Sequence, residues 1–550
     1  MWVISVIVGA ALGYLLTLVA QPTYPVADAH GEAVESREAP HEGDDQSRLE
    51  IASEVSPTAL VEGGGQDEGH APGAAAAPSH DPEPDPSDLE HKAVAHGGTE
   101  SHAHHGPTPT IPLWLCIPFA LLLLSIAVMP FINERFWHHH FPDFAFLLGS
   151  LVTSYYLFAF STPGAGGELP YGQYQMMHTG IEYYSFIALI GGLYVASGGV
   201  LIDVRARGRP LANTLLLAFG AVVANIVGTT GASVLLIRPF MRMNRGRLHP
   251  MHIVLFIFIV SNCGGALTPI GDPPLYLGFL KGVPFEWTLI HLWPMWATVI
   301  GMLLAIFFAF DRLVGAGETV EAPVATSGRA PVAVRGVSAM IALALIIFGV
   351  FIDPILKALG QHWAQGVPIG PTFQILVAAG AYFIADKKIH EANEFNFFPV
   401  KEVGLLFIGI FATMAPALGY LSEHGSDLGL NTPTRLYFGT GTLSAVLDNA
   451  PTYLNFLQVA LAAHTPALPL NPDGVHAFIA SATGQAELAA ISLGAVFFGA
   501  MTYIGNGPNF MVRAIAVEGG VRMPSFFGYL VRAIVLLLPV LILNWLIWIR

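Results

Sequence analysis

Thr268-Pro269-Ile270-Gly271-Asp272-Pro273-Pro274 interrupts one long apolar run, and Thr502-Tyr503-Ile504-Gly505-Asn506-Gly507-Pro508 interrupts another. Both read T-x-I-G-[D/N]-x-P. Gly271 and Pro273 in the first string, and Gly505 and Pro508 in the second, break a helix and free backbone carbonyls and amides. Glycine and proline are tolerated kink residues in membrane helices. That tolerance alone does not produce a five-position match at the equivalent place in two halves of one chain. The match predicts an internal repeat, each copy built around a broken helix.

Outward from the two breaks, apolar runs alternate with short polar loops. The runs are about 20 residues long, the length that a bilayer-spanning helix needs. Spans fall at about 111–131, 143–161, 183–200, 250–280, 288–310, 337–352, 370–385, 402–422, 489–517 and 526–549. Two further stretches, 211–237 and 434–463, do not fit as single crossings. Arg205, Arg207 and Arg209 precede the first, while Arg238, Arg242, Arg245 and Arg247 follow it. Cytoplasmic loops collect Lys and Arg, so both ends face the cytoplasm and the stretch reads as a re-entrant hairpin. The second, flanked by Glu423, Asp427, Asp473 and Glu487, reads as a hairpin from the opposite side. The expected fold is an all-α polytopic membrane protein of two inverted-topology repeats, each five transmembrane helices (one broken) plus a re-entrant hairpin. Secondary transporters use this arrangement. The repeats occupy residues 111–310 and 337–550, joined by a cytoplasmic linker at 311–336.

Composition agrees. The 550 residues are 53% apolar and 11% charged, against roughly 25% charged in soluble chains. The net charge of −15 lies in residues 21–110, which hold 18 acids and three bases; the remaining 21 acids and 21 bases cancel. No basic face exists to neutralise phosphates, so nucleic acid is not an expected partner. Segment 21–110 lacks Phe and Trp and is read as disordered, acidic, His-rich and extracytoplasmic. His102, His104 and His105 within it are a weak transition-metal candidate; the plainer reading is a solvated polyampholyte. Residues 1–20 read either as a signal peptide or as an N-terminal anchor helix. Cys116 and Cys263 have no CxxC or histidine partner spacing, which argues against a disulfide or a zinc site. There is no nucleophile–base set and no H-E-x-x-H string, so no enzyme activity is expected. The placement expected is a bacterial-type inner (plasma) membrane, crossed many times.

Each half brings one carboxylate towards the presumed centre: Asp272 on the first broken span and Asp448 on the second hairpin. An ionisable residue at membrane depth costs about 2.5–3.5 kcal/mol, so a role in ion handling is the default reading. Capping of a half-helix N-terminus is the alternative. An aspartate there can exchange a proton for Na⁺, and competition at one site suffices for antiport. Neutral oxygens able to replace a cation's hydration shell are available on both hairpins and both breaks. They belong to Asn225, Thr229 and Thr230, to Asn449 and Thr452, to Asn262 and Thr268, and to Asn506 and Asn509. Asn225 and Asn449 are read as corresponding positions. His178, Glu182, Arg513 and the run His138-His139-His140 are read as interfacial groups. No cofactor is expected, only transported Na⁺ and H⁺.

The string Gly264-Gly265-Ala266-Leu267-Thr268-Pro269-Ile270-Gly271-Asp272 resembles the G-G-x-x-[S/T]-P-I-G-D of NhaD-like sodium/proton antiporters in the ion transporter superfamily. Leu447-Asp448-Asn449-Ala450-Pro451 resembles that family's L-D-N-x-P. The resemblance runs over roughly 111–549. It implies exchange of Na⁺ or Li⁺ for H⁺ at intramembrane aspartates, with the bilayer, sodium ions and protons as partners; scaffolds of this type often dimerise, so it allows a homodimer. Two departures stand out: Asp272 is followed by Pro273-Pro274, and Asn225-Ile226-Val227-Gly228-Thr229-Thr230 differs in spacing from the family's N-N-x-T-T. The related citrate and dicarboxylate transporters share the architecture, and cation-coupled carboxylate symport is the alternative. A fixed charge at Asp448 would repel a polycarboxylate unless a cation lay between them.

Overall fold

The computed structural model describes residues 2–20, 109–162, 169–204, 208–314, 332–361 and 366–550. Residues 21–108, with His102, His104 and His105, lie outside the described residues, as do Arg205, Arg207 and positions 315–331 of the expected linker. In hydrocarbon a backbone must satisfy its own N–H and C=O groups, which favours helix for every apolar run. Among the described residues, ten helices are long and apolar enough to cross a membrane. The protein is an all-α polytopic membrane protein.

Helix α1 (Trp2–Val19) precedes the first half. There follow α2 (Ile117–Ile132), α3 (Glu134–Ala159), α4 (Tyr171–Gly198), α5 (Pro210–Met243), α6 (Pro250–Ile259), α7 (Pro273–Leu280) and α8 (Trp287–Val314). The second half holds α9 (Val337–Ala358), α10 (Ile369–Ile384), the short α11 (Lys387–Ala392), α12 (Phe398–His424), α13 (Pro433–Val446) and α14 (Asn449–Ala462). It ends with α15 (Pro472–Ile479), α16 (Ala482–Phe498), α17 (Gly507–Glu518), α18 (Phe526–Leu536) and α19 (Leu538–Trp548). A two-stranded antiparallel ribbon, β1 (Leu201–Val204) with β2 (Val332–Arg335), ties the end of α4 to the start of α9, Leu201 facing Arg335.

Several helices outrun their apolar stretches because local chemistry extends them. Asn133 caps α3 by accepting from the Phe136 N–H at 3.0 Å, so the helix starts at Glu134 rather than near 143. Residues 311–314, read as linker, continue α8, because Asp311 is buried in a polar cluster described below.

As a straight rod, α5 would be about 51 Å long. Instead it folds back at Gly228, whose φ of 78° and ψ of 155° suit glycine best. Its ends meet: the Gly208 N–H donates to Met243 O at 3.0 Å, and Asn213 and Asn244 exchange amide hydrogen bonds at 2.7 and 3.0 Å. Helices α13 and α14 form the second hairpin, bent at Leu447-Asp448, with Gly439 of one arm leaving space for the Phe456 ring of the other. Helices α6 and α16, which lead into the two breaks, are buried on nearly every face, as helices apolar all round must be.

Candidate functional site

Both half-helices after the breaks start alike. Asp272 precedes α7 and Asn506 precedes α17, each in extended backbone with proline in the first turn, and neither side chain caps its own helix. Proline suits that turn because its missing N–H would have been unpaired. The two side chains reach across the molecule instead. Asp272 is 1% exposed. Its Oδ1 accepts from Thr229 Oγ1 at 2.7 Å and from Asn506 Nδ2 at 2.8 Å; its Oδ2 accepts from Asn449 Nδ2 at 2.6 Å. One carboxylate thus joins the first hairpin, the second hairpin and the second break. All three donors are neutral, and among the described residues no cation pairs with it.

Matching contacts recur in the two halves. Thr268 Oγ1 donates to Asn225 O at 2.6 Å, and Thr502 Oγ1 donates to Ala445 O at 2.7 Å. A methyl group on Gly265 would lie 2.5 Å from Thr229 Cγ2 and 2.8 Å from Gly271 O; one on Gly499 would lie 3.4 Å from Asn449 Nδ2 and 3.1 Å from Gly505 O. These contacts pair Thr229 with Asn449 and Asn225 with Ala445, which corrects the expected pairing of Asn225 with Asn449. The strings align on asparagine, whereas the bends at Gly228 and Asp448 set the register.

The remaining candidates divide by what their polar atoms already hold. The Asn225 amide is spent on backbone: Nδ2 donates to Ala221 O and Gly264 O, and Oδ1 accepts from the Leu267 N–H. Thr268 also accepts from the Gly271 N–H, and Thr452 bonds back to Asp448 O at 2.8 Å. Asp448 Oδ1 caps α14 by accepting from the Ala450 N–H at 3.0 Å, the capping geometry weighed as the alternative from sequence. Asn509 donates to Gly499 O and Thr502 O and accepts from Asn262 Nδ2 at 2.6 Å, a further link between halves. Among the described residues Asn262 Oδ1 is buried with no partner, 3.4 Å from the position where a Gly499 methyl would stand. Thr229, Thr230, Gly271, Asp272 and Pro273 line a cleft of about 20 Å³. That is room for one water or one bare cation.

Outside this centre, Glu182 pairs with Lys281 at 2.5 Å, and His178 packs on Tyr174. Arg513 lies over the Tyr503 and Phe510 rings. One cluster escaped sequence reading. Asp311, fully buried, accepts from Asn213 Nδ2 at 2.7 Å, from His252 Nε2 at 3.0 Å and from Arg247. Together they lock the base of the first hairpin to α6 and α8. No motif announces the cluster, since its members come from four separate segments.

A family model described as "Putative citrate transport" matches residues 108–549. The chain belongs to that family. It is also similar to an uncharacterized transporter of Mycobacterium bovis, 25% identical over 382 residues, covering 64% of this chain and 82% of the relative. An uncharacterized transporter of Mycobacterium tuberculosis gives the same figures. A 46 kDa membrane protein of Mycobacterium leprae is 24% identical over 365 residues, covering 63% of this chain and 79% of the relative. The chain is therefore a multi-pass membrane transporter of the citrate transport family, and not an enzyme.

Proposed function

We propose that the protein exchanges Na⁺ or Li⁺ for H⁺, with Asp272 as the group for which cation and proton compete. The observation that carries this reading is the Asp272 carboxylate itself, 1% exposed and held by three neutral donors from both halves. Hydrogen bonds to a charged group contribute about 1.5–3 kcal/mol each, enough together to offset an ion's cost at membrane depth. Donors on both oxygens match the ionised form. A proton or a small cation then completes the neutralisation that, among the described residues, no basic side chain supplies. Asn262 Oδ1, buried without a partner among the described residues, is a further acceptor on the same broken span. Thr230 lines the cleft beside the carboxylate, while Asp448 caps the helix whose first residue, Asn449, donates to it.

The second reading, cation-coupled uptake of citrate or a dicarboxylate, is favoured by the family's description. A tricarboxylate calls for positive charge. Among the described residues the cleft lining contains no Lys, Arg or His, and its volume of about 20 Å³ holds a bare ion. Carboxylate transport would therefore need bound cations and a wider cleft. In both readings the acidic N-terminal segment lies on the extracytoplasmic side of a bacterial-type inner membrane, and the site takes no resident cofactor.

The test is flux in everted membrane vesicles offered Na⁺, Li⁺, K⁺ and labelled citrate in turn. Na⁺ or Li⁺ should collapse a preformed proton gradient without citrate, and this activity should vanish in Asp272→Asn. Citrate accumulation on a sodium gradient, with no proton movement by Na⁺ alone, would establish the second reading instead.

A further inference from the structure

We propose that a groove between α1, α3 and α12 holds one acyl chain of an anionic phospholipid, with its headgroup at Lys401. The three helices run parallel. Gly9 and Gly13 bring α1 against Leu147 O and Leu151 O of α3, and Gly149 brings α3 against Gly409 and Ala412 of α12. The groove between them has a volume of about 450 Å³. The space is an open groove, and its size is in the range of small-molecule sites. Ser150 and Ser154 in its wall spend their hydroxyls on Phe146 O at 2.5 Å and Ala10 O at 2.7 Å, so both turn apolar surface to the space.

One end of the groove differs from the rest. Phe146 lines the space and stacks on Trp2 with ring centres 5.8 Å apart, and Lys401 Nζ stands 5.4 Å from the Trp2 ring centre. Lys401, Ile408 and Ala412 recur on one face of α12, the latter two lining the groove. From Lys401 to Ala412 the helix rises about 16 Å, which matches the roughly 15 Å of hydrocarbon in one leaflet. A lysine and a tryptophan then stand at headgroup level, where such residues anchor membrane proteins. Asp143, at the same end, is already engaged by His140 at 2.9 Å and Ser5 at 3.1 Å, and among the described residues Lys401 has no ion pair. A helix from a second copy would run the full membrane thickness of about 30 Å, twice the depth of the groove.

The test uses the full chain purified in mild detergent, with palmitoyl-oleoyl phosphatidylglycerol and the matching phosphatidylcholine as probes, read by native mass spectrometry and thermal melting. Phosphatidylglycerol should bind one per chain and roughly fivefold more tightly than phosphatidylcholine, the scale of one lysine against an anionic surface. Lys401→Gln should abolish that preference, and Ala412→Phe, which fills the groove, should reduce retention of both lipids. Equal binding of the two lipids by the wild type overturns the proposal, as does an unchanged preference in Lys401→Gln. A dimer lost in Ala412→Phe with lipid adducts intact overturns it in favour of a second copy. Lys401 is exposed, so Lys401→Gln remains decisive even where Ala412→Phe expresses poorly.

Discussion

Replacing Asp272 by Asn exchanges one carboxylate oxygen for an amide nitrogen and removes the charge. Whichever way the amide turns, a donor then faces a donor. Its nitrogen meets Asn449 Nδ2 across the present 2.6 Å contact, or it meets Asn506 Nδ2 across 2.8 Å, where only the Thr229 hydroxyl at 2.7 Å can turn to accept. Losing one or two charge-assisted hydrogen bonds costs about 1.5–3 kcal/mol each. Removing an ion from membrane depth returns about 2.5–3.5 kcal/mol. The two effects nearly cancel, so the variant should fold, with a melting temperature close to that of the wild type. Cation binding has no such compensation. Two unit charges 4 Å apart attract by about 4 kcal/mol at an effective dielectric of 20, equivalent to about a thousandfold in affinity. The assay is a Na⁺ jump on proteoliposomes loaded with a pH-sensitive dye, with melting curves recorded on the same preparation. Exchange should be undetectable at Na⁺ concentrations that saturate the wild type. A folded variant whose half-saturating Na⁺ stays within tenfold of the wild type would refute the role assigned to Asp272.

Asn449→Ala removes one donor to Asp272 and should raise half-saturating Na⁺ about tenfold, consistent with about 1.4 kcal/mol, in the same dye assay. Asn225→Ala instead removes three hydrogen bonds to backbone groups, of which Gly264 O keeps Trp296 Nε1 at 2.9 Å, so its main effect should be a lower melting temperature. Gly265→Ala would set a methyl 2.5 Å from Thr229 Cγ2 and 2.8 Å from Gly271 O, while Gly301→Ala meets nothing within 4 Å. Flux measured side by side should fall at least tenfold in the first and stay unchanged in the second. Arg247→Met leaves the Asp311 carboxylate buried without its cation and should destabilise by about 3–5 kcal/mol. The double variant Arg247→Met/Asp311→Leu should recover most of that loss in thermal melting.

Much of the fold was legible because membrane helices announce themselves by length and polarity. The arginines flanking 211–237 implied a stretch that returns to the side it left, and the ends of α5 do meet. The repeated T-x-I-G strings located both breaks, and Thr268 and Thr502 make equivalent bonds there. Residue roles were harder to read. Asp448 and Asp272 looked alike in sequence, yet one carboxylate caps its own helix and the other gathers donors from three elements. Both stand at the N-cap of their helix, so the difference lies in backbone angles and in which donors from other elements come within reach, which a string of letters does not show. Asn225 looked like a ligand because amides serve equally as cation oxygens and as backbone clasps. Asp311 was counted as linker, because its partners Asn213, Arg247 and His252 are brought together only by the hairpin's return.

Proton release on cation binding tests the competition at Asp272 most directly. Purified protein in weakly buffered detergent solution is titrated with NaCl, LiCl and choline chloride while pH is recorded. Competition requires release of protons on addition of Na⁺ or Li⁺, saturating with the binding curve, absent with choline and absent in Asp272→Asn. Saturable Na⁺ binding with no proton release, or release that persists unchanged in Asp272→Asn, would contradict it.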